Sequence, residues 1–96
     1  MSQKKQVSRY EINRLVKQVL VRYAVDLTEL QFSCSGETVY LYGNLFKDSE
    51  GAFTPLGIET LVKELSRLPF VKQLQWDLNN WYISGELGSW QITKRR

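Results

Sequence analysis

Histidine and cysteine, the residues most often used in nucleophilic and zinc chemistry, are nearly absent from this 96-residue chain. It has no histidine and a single cysteine, Cys34, which excludes histidine-dependent catalysis, most zinc sites and any internal disulfide. Asp48 and Glu50 share a loop and could contact a cation, but two carboxylates without a third ligand form a weak pattern. The sequence contains no glycine-rich phosphate loop and no triad. It therefore predicts a protein that is not an enzyme and that uses no cofactor or metal.

The remaining candidates are aromatic and basic side chains that could bind a surface. Tyr40 and Tyr42 alternate along the strongest strand pattern of the chain, and Trp81 and Tyr82 follow a turn signal, Asn79-Asn80. Tyrosine offers apolar area with a polar tip, so we predict that these aromatic residues form a binding surface. A second, basic set could meet an anionic surface. It consists of Lys4, Lys5, Arg9, Arg14, Lys17 and Arg22.

Charge is distributed unevenly along the chain. Residues 1–22 carry six basic side chains against Glu11 alone, residues 23–93 carry four basic against nine acidic, and the last three residues are all basic. Basic ends can serve nucleic acid or an anionic membrane, or can simply be solvated. Nucleic acid is disfavoured, because the predicted tyrosine surface carries almost no positive charge for phosphate contacts.

Two segments have the periodicity of amphipathic helices. Apolar residues recur along one face of residues 10–23, and Ser8 with Glu11 forms a capping-box pattern before it. The second helix is predicted over residues 55–68, with Thr54 as its N-cap and a proline in its first turn.

Strand patterns fill the rest of the chain. Residues 30–34 and 38–46 are predicted to form an antiparallel hairpin, with Val39, Leu41 and Leu45 facing inward and Tyr40, Tyr42, Asn44 and Phe46 facing outward. Gly43 on the inward face leaves room for a close approach, most simply by a helix. Residues 71–78 read as a third strand, and residues 81–84 as a fourth strand or a continuation past a bulge.

The order helix, hairpin, helix, strand predicts a small α+β domain. Its two helices cover one face of a three-stranded mixed sheet, with the third strand beside the second or the first and an extra C-terminal strand as an option. We expect a basic segment over residues 1–9, one domain over residues 10–92 and a basic tail over residues 93–96. The open sheet face is either a partner or homodimer interface, or is covered by Trp81, Tyr82, Phe46 or Trp90.

The sequence resembles the BON domain, a small bacterial α/β module, over residues 10–78. The family pattern of an apolar strand reaching a glycine, a second helix and a strand opened by a valine is matched by residues 38–45, 57–68 and 70–74. Phe70 stands where the family usually has a glycine before that valine.

The resemblance implies a non-enzymatic domain that binds phospholipid or another macromolecular surface, often in exported proteins. No apolar stretch follows the basic N-terminus, so we expect no secretory signal and a cytoplasmic protein. Our expectation is a binding or adaptor module that associates with a protein partner or with itself through the open sheet face. The alternative is peripheral binding to phospholipid or another anionic surface through the basic N-terminal region.

Overall fold

The computed structural model describes residues 9–49, 51–86 and 89–95, and of Arg9 and Glu86 only the backbone. The predicted cap at Ser8, the charges of Lys4 and Lys5, and the carboxylate of Glu50 therefore lie outside the described residues. The elements, in chain order, are α1 (Arg9–Arg22), β1 (Leu30–Ser35), β2 (Thr38–Gly43), α2 (Pro55–Ser66), β3 (Gln73–Leu78), β4 (Trp81–Glu86) and β5 (Ser89–Lys94).

Both helices form where their periodicity predicts them. The buried residues of α1 fall on one stripe of the helix, because they recur every three or four positions. They are Ile12, Val16, Val19 and Leu20. Helix α2 starts at the predicted cap, where Thr54 Oγ1 accepts a hydrogen bond from the backbone N–H of Gly57 at 3.1 Å. It ends at Ser66, two residues earlier than predicted, with Arg67 as its C-cap.

A three-stranded mixed sheet in the order β1-β2-β3 forms the centre of the domain. Strand β2 pairs antiparallel with β1 and parallel with β3, so the third strand lies beside the second. β2 ends at Gly43, three residues before its predicted end, and has a φ of 115° there. A Cβ at Gly43 would overlap the backbone carbonyl of Glu29. The backbone of Glu29, just before β1, therefore makes the close approach that we predicted at this glycine. Our assignment of that approach to a helix was wrong.

The C-terminal region forms a second sheet instead of one extra strand. Among the residues that the structure describes, strands β4 and β5 pair antiparallel with each other and with no strand of the first sheet. Asn80, in the turn before β4, bonds the backbone of Leu45 twice: its Oδ1 accepts from the N–H at 2.9 Å, and its Nδ2 donates to the carbonyl at 3.0 Å. Thr93 and Lys94, which the sequence assigned to a basic tail, belong to β5.

One core joins the two helices, the inner face of the mixed sheet and the β4–β5 hairpin. Its buried members from the sheet include Leu30, Cys34, Val39 and Leu41, and Ile83 comes from the hairpin. Strand β5 contacts α2, and β4 contacts β3. Within the described residues, no helix is long and apolar enough to cross a membrane. The structure is therefore an α+β domain whose mixed sheet has one face packed and the other open.

Candidate functional site

We give the name tyrosine face to seven of the exposed side chains on the open face of the mixed sheet. They are Gln31, Ser33, Tyr40, Tyr42, Gln73, Gln75 and Asp77. Successive side chains of a strand point to opposite sides of the sheet, so these alternate with the buried positions of β1 and β2. Tyr40 and Tyr42 are each 42% exposed, which leaves ring surface available for contact.

The register places the two tyrosines at the centre of the tyrosine face. Tyr40 lies between Ser33 on β1 and Gln75 on β3. Tyr42, two residues further along β2, lies on the same face between Gln31 and Asp77. Two aromatic rings are thus flanked on both sides by amide, hydroxyl and carboxylate groups. An apolar centre with a polar rim is the usual anatomy of a protein interface.

The described aromatic residues of the C-terminal region do not cover the tyrosine face. Trp81 is only 5% exposed and belongs to the core, so it does not lie on the open sheet face where we predicted it. The alternation of β4 directs Trp81 and Ile83 inward and Tyr82 outward. Tyr82 is 44% exposed, and the guanidinium carbon of Arg95 lies 5.5 Å from its ring centroid. Trp90 packs against the core.

The basic residues of α1 lie on its solvent side, and two of them have acidic partners. Arg14 contacts Glu11 at 3.5 Å, and Arg22 contacts Glu64 of α2 at 2.9 Å. Lys17 is exposed on the same side of the helix. Exposed ion pairs contribute only about 0–1 kcal/mol, so these pairs leave the helix face accessible to an anionic partner.

No cluster of three or more metal-ligating side chains is found in the part of the chain that the structure describes. The pKa of Asp26 is lowered by the hydroxyl of Thr28 and, to a smaller extent, by the backbone N–H of Thr28. The oxygen Asp26 Oδ1 accepts from these two donors at 2.6 Å and 3.0 Å. These bonds close a local turn at the entry to β1, and this turn accounts for the lowered pKa of Asp26.

Sequence reasoning missed a groove between β3 and the β4–β5 hairpin. It has a volume of about 890 Å³. Its walls include Trp76 of β3, Tyr82 of β4 and Trp90 of β5, with Lys72 at one end. The alternation of each strand could be recognised in the sequence. The groove exists because β4 does not pair with β3. The periodicity of a strand does not predict which other strand it pairs with.

The sequence matches no protein-family model, no curated protein and no solved structure. Three surfaces of the molecule are therefore candidates for a function: the tyrosine face, the basic side of α1 and the groove.

Proposed function

We propose that this protein is a non-enzymatic binding module that associates with a protein partner, or with a second copy of itself, through the tyrosine face. The observation that supports this proposal is the exposure of Tyr40 and Tyr42, side by side on an uncovered sheet face. Tyrosine is enriched in interfaces because it buries a large apolar area with few rotatable bonds and keeps a hydrogen-bonding tip. Asp77 is the single charged residue of the tyrosine face, so little charge would need to be desolvated.

Two variants test this proposal. The first is the double variant Tyr40→Ser with Tyr42→Ser, and its control is the single variant Tyr10→Ser. Tyr10 is 78% exposed on α1, far from the sheet face in the fold, so its variant controls for loss of an exposed tyrosine. If the protein self-associates through the tyrosine face, its solution mass falls to that of a monomer in the double variant and is unchanged in Tyr10→Ser. An oligomer that persists in the double variant would contradict self-association through this face.

A protein partner calls for a second measurement in the cell that makes the protein. A photo-crosslinking phenylalanine analogue at position 40 should yield a discrete cross-linked protein, whereas the same group at position 10 should not. Serine at position 42 should reduce the yield, because it removes the neighbouring ring. If the protein is a monomer and the cross-linking group gives the same products at positions 40 and 10, the tyrosine face is not an interface.

Peripheral binding to an anionic surface is a second candidate, supported by one observation on α1. Val21 is 57% exposed and is surrounded by Arg14, Lys17 and Arg22, so this helix side combines an apolar centre with basic groups. Each basic residue near an anionic membrane contributes about 1 kcal/mol, and salt screens this attraction. Co-sedimentation with phosphatidylserine vesicles should then weaken steeply as salt rises. Absence of binding at low salt would exclude this candidate.

The two candidates differ in which residues matter. Neutralising Lys4, Lys5 and Arg9 should reduce vesicle binding and leave the solution mass unchanged. The double variant of Tyr40 and Tyr42 should lower the solution mass of a self-associating protein and leave vesicle binding unchanged. A cytoplasmic location stays a prediction from the sequence.

We also propose a relation to BON domains, supported by two backbone angles. Phe70 stands where those domains usually have a glycine, and it has a φ of 69°. Gly43, the glycine that ends the second strand of the pattern, has a φ of 115°. Left-handed backbone is normally the place of glycine, so the chain has at both positions the conformation that the pattern implies. The vesicle experiment tests the phospholipid binding that this relation implies.

A further inference from the structure

The groove between β3 and β4 is bordered on one side by an unpaired strand edge. The N–H of Gln73 donates to the carbonyl of Glu37, at the start of β2, at 3.2 Å. Backbone groups of successive residues point to alternate edges of a strand, so the odd-numbered residues of β3 bond to β2. Leu74 and Trp76 therefore direct their N–H and C=O groups toward the groove, where β3 has no strand partner.

The opposite wall has an unpaired edge as well. The N–H of Arg95 donates to the carbonyl of Asn80 at 3.0 Å, and the register of the β4–β5 pair continues from that bond in steps of two residues. The even-numbered residues of β4 thus bond to β5. Ile83 and Gly85, which line the groove, therefore direct their backbone groups toward it.

Two features of the lining indicate what could occupy this space. Lys72 is the one charged residue among the described residues that line the groove, so the lining has a positive charge without a compensating carboxylate. The indole N–H of Trp76 is buried and has no hydrogen-bond partner among the described residues. A buried donor without an acceptor is energetically unfavourable, so an occupant that offers a carbonyl or carboxylate oxygen would relieve that cost.

We propose that the groove binds an extended acidic peptide segment of a partner protein, which adds as a strand between β3 and β4. Its backbone N–H and C=O groups pair with the two free edges, as in other cases of strand addition. Its acidic side chains meet Lys72. An oxygen of the peptide accepts from the indole of Trp76 after the hairpin moves outward, because this N–H is inaccessible with the groove empty. The site is separate from the two tyrosines.

Nuclear magnetic resonance of the full chain tests this with three acetylated hexapeptides. The first alternates valine and glutamate, the second alternates valine and lysine, and the third is the glutamate peptide with alternate backbone nitrogens methylated. The glutamate peptide should move the indole N–H resonance of Trp76 downfield, with that resonance assigned from Trp76→Phe. The methylated peptide should leave it in place, since methylation removes the donors along one of its two edges and it can no longer pair with both strands. The lysine peptide should bind more weakly.

Charge reversal supplies the matched variants. Lys72→Glu should raise the apparent dissociation constant of the glutamate peptide about fivefold and lower that of the lysine peptide. Lys17→Glu, an exposed position on α1, should change neither constant. Tyr40→Ser with Tyr42→Ser should leave peptide binding intact, which separates this proposal from the tyrosine face.

Three results would overturn the proposal. One is the absence of any shift at Trp76 with the glutamate peptide at millimolar concentration. Another is equal binding of the methylated peptide, which would mean that the peptide does not pair with both strands at once. The third is broadening of β3 and β4 amides with protein concentration alone, which would make a second copy of this chain the occupant.

Discussion

At the residue scale, Asp26 connects a local turn to the pH dependence of stability. The hydroxyl of Thr28 is the larger cause of its lowered pKa, and the backbone N–H of Thr28 is the smaller one. A carboxyl group whose pKa is lower in the folded state stabilises the fold above its unfolded pKa. That contribution is lost as the pH falls through the folded pKa. Asp26 thus contributes to stability at neutral pH and ceases to do so in acid.

Replacing Thr28 with valine should raise the pKa of Asp26 toward its ordinary value. The substitution removes the hydroxyl and keeps both the backbone N–H and the β-branched shape, so the smaller cause of the shift remains. Carbon-13 titration of the carboxyl group measures the change. Thr28→Ser, which retains a hydroxyl, should keep the pKa low. Equal titration curves for the two variants would mean that the Thr28 hydroxyl is not the main cause.

Asn80 occupies the turn that holds the hairpin to the mixed sheet. Its amide serves both backbone groups of Leu45, a residue that is only 1% exposed. Asn80→Ala should therefore lower the free energy of unfolding by about 1–3 kcal/mol, because two buried backbone groups lose their partner. Urea denaturation measures this loss. Asn79→Ala, at the exposed neighbouring position, should fall within about 0.5 kcal/mol of the parent. A similar loss in both variants would assign the effect to the turn and not to the amide.

At the element scale, α1 ends in a Schellman motif built without glycine. The N–H of Val25 donates to the carbonyl of Leu20 at 3.0 Å, and the N–H of Ala24 donates to that of Val21 at 2.9 Å. This places Ala24 in the left-handed conformation with a φ of 60°, where helices usually have glycine. A non-glycine residue in this conformation costs roughly 1–2 kcal/mol.

Replacing Ala24 with glycine should therefore stabilise the protein. The relief of backbone strain exceeds the added entropy of the unfolded chain, so we expect a gain of about 0.5–1 kcal/mol in the free energy of unfolding. Thermal and urea denaturation measure it. Ala52, exposed in a loop, does not have a positive φ, so Ala52→Gly should destabilise by about 0.4–1 kcal/mol. A destabilising Ala24→Gly would show that the motif tolerates alanine without strain.

Ala24 illustrates why the sequence predicted the helices and strands better than it predicted where they end. Periodicity predicted both helices, the first hairpin and the alternation that exposes Tyr40 and Tyr42, because these depend on neighbours a few positions apart. The end of α1 has no glycine to mark it. Trp81 alternates with Tyr82 in the same way as the residues of any strand, and only its packing partners decide which of the two is buried. Those partners are distant in sequence, so Trp81 was misassigned to the surface.

At the scale of the whole molecule, a single core spans two sheets that share no strand pairing. Cys34 on β1 is 6% exposed, and its thiol donates to Asn13 Oδ1 of α1 at 3.0 Å. Ile83 on β4 is equally buried in the same core. If the core unfolds cooperatively, loosening the β4–β5 hairpin must expose the thiol of Cys34. Cys34 thereby becomes a probe of whether the hairpin and the mixed sheet unfold together.

Ile83→Ala should accelerate the labelling of Cys34 by a thiol reagent. Truncating a buried isoleucine costs about 2–5 kcal/mol, and when labelling follows the population of the open state this corresponds to an increase of at least about thirtyfold. Gln91→Ala, on the exposed side of β5, should leave the rate nearly unchanged. An unchanged rate in Ile83→Ala, alongside a clear loss of hairpin structure, would mean that β4 and β5 open independently. The groove between β3 and β4 could then widen without global unfolding, whereas a cooperative core limits that widening to a small outward shift of the hairpin.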